Sequence, residues 1–296
     1  MVKNSYDGSV NTEESATAWN DQLLENPHAV ADKRSRVQKM FAAIAPSYDL
    51  NNRLHSLWMD QRWRRKAVKL AEVRGDDEVV DVACGTGDLA IEFAKEVQER
   101  CQDRDGDATQ SQVFGVDFTY QMLPLARSKK QPTTHTKPFY KSPDGTRCNW
   151  AGLSGASLPV VRWINGDAQS LPFRDSSADV VSIAFGIRNV QSVPTALKEF
   201  HRILRPCGRV IILEFSLPTN PILRGLYNFY FRQILPRTAT LISGDKTGAY
   251  KYLPESVNTF IGREQMVGMM SEAGFVEVQQ FPMTFGVCVC YRGYKR

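Results

Sequence analysis

A chain of 296 residues, 42% hydrophobic and 23% charged, has ordinary globular composition and room for one large domain or two small ones. Its net charge of +5 is only mildly basic, and the densest basic stretch, RWRRK from Arg62 to Lys66, is too short for a nucleic-acid arm, so no nucleic-acid partner is expected. The six cysteines, Cys84, Cys101, Cys148, Cys207, Cys288 and Cys290, have no zinc-like CxxC spacing, so reduced thiols and no metal are expected. No signal-peptide pattern and no apolar run of about 18 residues occurs, which leads us to expect a cytoplasmic protein, at most peripheral at the inner face of a membrane.

Residues 1–32 are polar and aperiodic and read as a disordered tail; one domain is expected over 33–296. Val37, Met40, Phe41 and Ile44, then Leu54, Leu57, Trp58, Trp63 and Val68, recur at helical spacing with a break at Pro46. They predict a helical cap in two or three pieces. Strands and helices then alternate: EVVDVAC, a helix over Leu89–Val97, QVFGVDF, a helix over Gln121–Arg127, VVRWI, ADVVSIAF, a helix over Val193–Leu204, and RVIILEF. An aromatic segment, Ile222–Pro236, reads either as a core helix or as a lid. After a helix over Arg263–Ala273, FVEVQQF and FGVCVCYRGY are joined by a short Pro-Met-Thr link and must form an antiparallel hairpin. The fold class is α/β, a Rossmann-like seven-stranded sheet, with polar surface insertions near 99–112 and 129–158.

EVVDVAC runs into Gly85-Thr86-Gly87-Asp88 and a helix, where a tight glycine turn lets a ligand approach the backbone at the carboxyl end of a sheet. Gly85-x-Gly87-x-x-Ala90 also satisfies the dinucleotide pattern, which keeps an NAD enzyme open. Asp88, at the helix start, would repel a pyrophosphate and tolerate the ammonium of a methionine moiety. Asp117 ends the second strand, where its oxygens can accept from both ribose hydroxyls; it lies 30 residues beyond Gly87 and not about 20, an excess the insertion explains. In Gly166-Asp167-Ala168, the Asp167 carboxylate can take an adenine amino group and the Ala168 N–H a ring nitrogen. Asp81, Asp88, Asp117 and Asp167 at successive strand ends together favour S-adenosylmethionine.

The segments DVACGTGD, VDFTYQML, GDAQSLPF, SIAFGIRNV, LEFS, ILPRTATLISGDKTGAYKYLPESV and RGYK, with MFAAIAPSYDLNNRLHSLWMDQRWRR upstream, resemble the ubiquinone/menaquinone biosynthesis C-methyltransferases. The likeness covers Arg36 to Lys295 apart from the insertions. It implies a class I methyltransferase fold, S-adenosylmethionine as methyl donor, no metal, and cofactor contacts from Thr86, Asp117, Asp167 and Ala168. The implied substrate is a polyprenyl quinol, either demethylmenaquinol or a 2-methoxy-6-polyprenyl-1,4-benzoquinol. A homodimer and a quinone-synthesis complex both stay open, as does another small phenolic or lipid substrate. Ala184 departs from the family, which often has Ser there.

Methylating a ring carbon requires positioning and a way to generate or hold a phenolate. Gly186-Ile187-Arg188-Asn189 leaves the fourth strand at its carboxyl end, which makes Arg188 the expected phenolate stabiliser and Asn189 its orienting partner. Pairing of Arg188 with a structural acid is the competing role. Tyr48, after Pro46, can cover a sulfonium by a cation–π contact. Asp245 and Tyr250, from the family-like stretch, are expected in the quinol pocket. Arg224, Arg232 and the RWRRK cluster suit transient contact with a membrane surface.

Overall fold

The computed structural model describes residues 18–102, 112–134, 139–141, 147–149, 158–159 and 161–296. A seven-stranded sheet is built from β1 (Val79–Val82), β2 (Val113–Asp117), β3 (Val161–Asn165), β4 (Ala178–Ala184), β5 (Leu204–Phe215), β6 (Val276–Met283) and β7 (Cys288–Tyr294). The strands lie in the order β6-β7-β5-β4-β1-β2-β3. Pairs among β1 to β5 are parallel, whereas β7 is antiparallel to both β5 and β6. The expected Rossmann-like class and closing hairpin are therefore what forms. The hairpin link differs: Pro282 and Met283 still pair with β7, and Thr284–Gly286 make the turn. Proline is tolerated there because β6 is an edge strand.

Helices precede, alternate with and follow the strands. The cap comprises α1 (Asp21–Leu24), α2 (Lys33–Ile44), α3 (Tyr48–His55) and α4 (Met59–Ala71). Pro46 opens a 3-10 turn between α2 and α3, and Leu57 and Trp58, both at positive φ, break the chain before α4. Next come α5 (Asp88–Gln102), α6 (Met122–Ser128) and α7 (Val193–Ile203), then α8 (Pro221–Phe229), α9 (Leu235–Ser243), α10 (Ala249–Asn258) and α11 (Arg263–Glu272). Every residue of β1 is buried, as a strand covered on both faces must be. On one face Leu197, Phe200, Met266 and Met270 pack against the sheet; on the other Trp63, Ala67, Leu89 and Phe93 do so.

A third core, remote from the strands' centre, gathers Trp19, Val37, Met40, Ile44, Phe231, Leu235, Tyr250 and Tyr252. It bears on two segments. The tail expected to reach residue 32 is ordered from residue 18: Trp19 is buried, its ring 4.4 Å from that of Tyr252, and its backbone N–H donates to the Thr247 carbonyl. Residues 1–17 lie outside the described residues. Ile222–Pro236, open between core helix and lid, divides: α8 buries none of its residues, whereas Phe231, within a π-turn at Tyr230–Ile234, and Leu235, just after it, enter the third core. Of the two insertions, the first is helical as far as Gln102 and the second contributes two short antiparallel ribbons, 133–134 with 158–159 and 139–141 with 147–149; the rest lies outside the described residues.

Chain order runs from β1 outward to β3 on one side and from β4 to β5 on the other, where β7 then lies between β5 and the edge strand β6. The sheet reverses between β1 and β4, and a crevice opens at their carboxyl ends.

Candidate active site

That crevice holds a pocket of about 730 Å³, walled by the segments that follow β1 to β4. Gly85 lines it at φ +55, and a side chain at that position would meet only the Tyr48 ring, 3.9 Å away, so the backbone stands open to the pocket. Asp117 lies beside it with one backbone N–H on each oxygen, Gly85 and Thr119 donating at 2.7 Å. A carboxylate oxygen has room for a further donor, so both oxygens can still take a hydroxyl. Burial pushes the Asp117 carboxyl up to about 6, against the pull of those N–H groups. Ala168, Phe118, Met122, Val37 and Phe41 provide small or apolar wall for a flat ring, and Asp167 stands at its edge. These residues fit an adenosine moiety. Asp167 is not free, however: one oxygen accepts from the Gln169 N–H and the other pairs with Arg34 at 2.9 Å.

Asp81, Thr86, Gly87 and Asp88, expected around the cofactor, do not line this pocket. Asp81 is buried in β1, takes a hydrogen bond from Ser182 at 2.7 Å, and is pushed by burial up to about 7. Gly87 is needed for packing: a Cβ there would stand 2.3 Å from the Trp163 ring, at φ +82. The Thr86 hydroxyl donates to Asp49 and accepts from Lys129, whose ammonium also reaches Asp49 and Asp88 at 2.6 Å. Burial alone would raise the Asp88 carboxyl, but Arg64, Lys129 and Arg53 hold it down at about 2. With Arg53 and Lys129 on its oxygens, Asp88 is a compensated charge, not the free anion expected at the helix start.

The turn after β4, Ile187–Asn189, is buried at Arg188. Its guanidinium donates to Glu214 at 2.6 Å, to the Phe185 carbonyl at 2.7 Å and to the Ser256 hydroxyl at 3.3 Å, and lies over the Phe215 ring. The structural acid is thus real, and it leaves Arg188 on the wall of a second cavity. Asn189 does not orient Arg188 directly. Its amide donates to the same Phe185 carbonyl, and its oxygen accepts from Tyr252.

The second cavity spans about 1430 Å³ with its open mouth included and is largely apolar, with Met40, Ile44, Trp63, Phe215, Phe231 and Leu235 in its wall. Phe41, Tyr48 and Phe185 line both cavities and form the partition. Tyr250 lines the large cavity as expected, and burial raises its phenol. Asp245 does not: its carboxylate accepts from the N–H groups of Thr247 and Ala249 and so ties down the loop that leads into α10. Glu214 was missed by sequence reasoning although its signal was visible, a lone acid inside the apolar run RVIILEF. Phe185, at φ +56, and Ala83, at φ +50, were missed because nothing in their side chains announces a strained turn beside a ligand.

An adenosine-shaped pocket at the reversal of a β6-β7-β5-β4-β1-β2-β3 sheet, sharing a wall with an apolar chamber, defines an S-adenosylmethionine-dependent methyltransferase. Among solved structures the fold is similar to an S-adenosylmethionine-dependent methyltransferase of Thermotoga maritima, with TM-score 0.51 and 18% identity over 88% of this chain and 100% of that one. The chain belongs to the ubiE/COQ5 methyltransferase family, whose model matches residues 29–295. It is 39% identical over 268 residues to a ubiquinone/menaquinone biosynthesis C-methyltransferase UbiE of Citrifermentans bemidjiense, covering 90% of this chain and 100% of the relative. It is also 39% identical over 275 residues to a demethylmenaquinone methyltransferase of Deinococcus radiodurans, covering 92% and 99%.

Glu214 is buried and its carboxyl is pushed up by burial while Arg188 opposes that shift. Glu214→Ala would leave the Arg188 charge unpaired in the interior. Urea unfolding should show a loss of about 3 to 5 kcal/mol; a change below about 1 kcal/mol would mean that the pair is solvated.

Proposed function

We propose that the chain transfers a methyl group from S-adenosylmethionine to a ring carbon of a polyprenyl quinol, with demethylmenaquinol to menaquinol preferred over the benzoquinol branch. The observation that carries this reading is the shared partition: an adenosine-shaped pocket meets a larger apolar chamber at Phe41, Tyr48 and Phe185, with Arg188 on the chamber wall. The names of the two relatives above support the same substrate class.

S-adenosylmethionine supplies an electrophilic methyl group when bound. Asp117 would receive the ribose hydroxyls and Asp167 and Ala168 the adenine edge, with Gly85 giving close backbone approach. The Tyr48 ring, set in the partition, would cover the cationic end. On the acceptor side, a quinol ring carbon is strongly nucleophilic only when a ring hydroxyl has lost its proton. Arg188 holds the resulting oxyanion, and because Glu214 and the Phe185 carbonyl fix the guanidinium beforehand, little reorganisation accompanies the reaction. In a radiolabel transfer assay the purified protein should methylate demethylmenaquinol, and Arg188→Ala should lower kcat by roughly 10²–10³-fold with S-adenosylmethionine affinity within about threefold of wild type. No transfer to either quinol would sink the reading, and a collapse of cofactor affinity would reassign Arg188.

The cofactor site should also respond to acid. Asp117 accepts the ribose hydroxyls best when ionised, and its carboxyl is pushed up to about 6, so the binding-competent form is dominant above that pH and is lost below it. Calorimetry should find S-adenosylmethionine bound roughly tenfold more weakly at pH 5 than at pH 7. A flat profile would remove Asp117 from the ribose.

The chamber is flanked by apolar side chains left in solvent: Leu57, Trp58, Leu226, Phe229, Leu241 and Phe285 are all more than half exposed. With Arg62 on α4, Arg224 on α8 and Arg232 in the π-turn that follows α8, this is the composition of a surface that rests on an anionic bilayer while a prenyl tail passes in. Leu57→Ser combined with Phe229→Ser should reduce sedimentation with anionic vesicles at least threefold; unchanged binding would dispose of the membrane contact.

A further inference from the structure

Lys33, the first residue of α2, is only 2% exposed and has no carboxylate partner among the described residues. Its ammonium donates to the carbonyls of Arg188 and Val190, each at 2.8 Å, and stands 3.3 Å from Nδ1 of His28. The other ring nitrogen of His28 faces the Ser256 carbonyl at 2.9 Å and must be the protonated one, which leaves Nδ1 to accept. All three ammonium protons are thus spent, two of them on the turn that carries Arg188. A buried lysine with only neutral acceptors is costly to maintain. Burial and the nearby Arg188 push its pKa down to about 8, and burial with Lys33 pushes His28 down to about 4.

The charge balance at this turn gives the lysine a purpose. Arg188 is matched by Glu214 at 2.6 Å, so that pair is close to neutral as a unit. Ser256 contributes a hydroxyl to Arg188 and no charge. With His28 uncharged, the unmatched positive charge of the cluster belongs to Lys33. We propose that Lys33 is a positioning residue for the methyl transfer, one that fixes the Arg188–Val190 turn and supplies the net positive charge behind it that favours an anionic ring oxygen in the large cavity. The inference rests on the quinol reading above.

Two ring probes separate this role from mere packing: 2-hydroxy-1,4-naphthoquinone, an anion at neutral pH, and uncharged 1,4-naphthoquinone. Wild-type protein should bind the anion more tightly than the neutral ring. Lys33→Met should abolish most of that preference and lower kcat, each roughly tenfold, the scale of one charge acting across about 10 Å of protein. S-adenosylmethionine affinity should stay within threefold. Lys33→Arg, which keeps the charge on a longer stem, should hold the anion preference within threefold and so tests the idea even if Lys33→Met proves too unstable to purify. Equal weakening of both probes in Lys33→Met, or loss of the preference in Lys33→Arg, would reduce Lys33 to a structural clamp and overturn the proposal. Wild-type protein that binds neither probe and methylates neither quinol would instead bring down the quinol reading, and this inference with it.

Discussion

The pair between Arg188 and Glu214 joins the turn after β4 to strand β5 inside the protein, and much of the site is arranged around it. Two opposite charges taken out of water hold together only if nearly every remaining donor and acceptor is also met. Phe185 meets one with its carbonyl, Ser256 another with its hydroxyl, and Phe215 lies under the guanidinium plane. Each of these partners comes from a different part of the chain, so the sheet, the turn and α10 must all be in place before the arginine is. The wall of the large cavity is a by-product of that requirement.

The same constraint explains why the N-terminal segment is folded. Lys33 and His28 close the far side of the Arg188 turn, and Trp19 anchors the segment against Tyr252, which in turn bonds Asn189. Polar composition with no sustained periodicity conceals this, because the segment contributes single anchors and no continuous apolar stripe. A lone tryptophan, histidine and lysine scattered over fifteen residues leave no pattern that periodicity can detect.

The sheet was far more legible. Its parallel strands are short apolar runs covered on both faces, and turns rich in glycine mark their carboxyl ends, so element type and order follow from local physics. Site geometry was legible only where a side chain's chemistry and its place at a strand end coincide, as at Asp117, Asp167 and Arg188. Asp81, Thr86 and Asp88 share that position in sequence, yet Ser182, Asp49, Lys129 and Arg53 claim their polar atoms. Those partners come from outside the motif, from β4, the cap and the segment after α6, and no reading of the glycine turn alone can foresee them. Asp245 shows the same limit at the other end of the site, where a motif residue spends its carboxylate on loop N–H groups.

The chain of charges from Asp49 through Lys129 and Asp88 to Arg53 and Asp60 fastens α3 and α4 to the glycine turn. Lifting that edge of the cap would part Asp49 from Lys129 and Asp88 from Arg53 together. The opposite edge is held by neutral contacts, the Tyr230 hydroxyl on the His55 carbonyl and His55 on Thr238, with one exposed ion pair between Arg232 and Glu255. The roof of the large chamber is therefore bolted on one side and merely latched on the other. The neutral edge, where α8 and α9 meet the end of α3, is therefore the weaker side of that roof among the described residues.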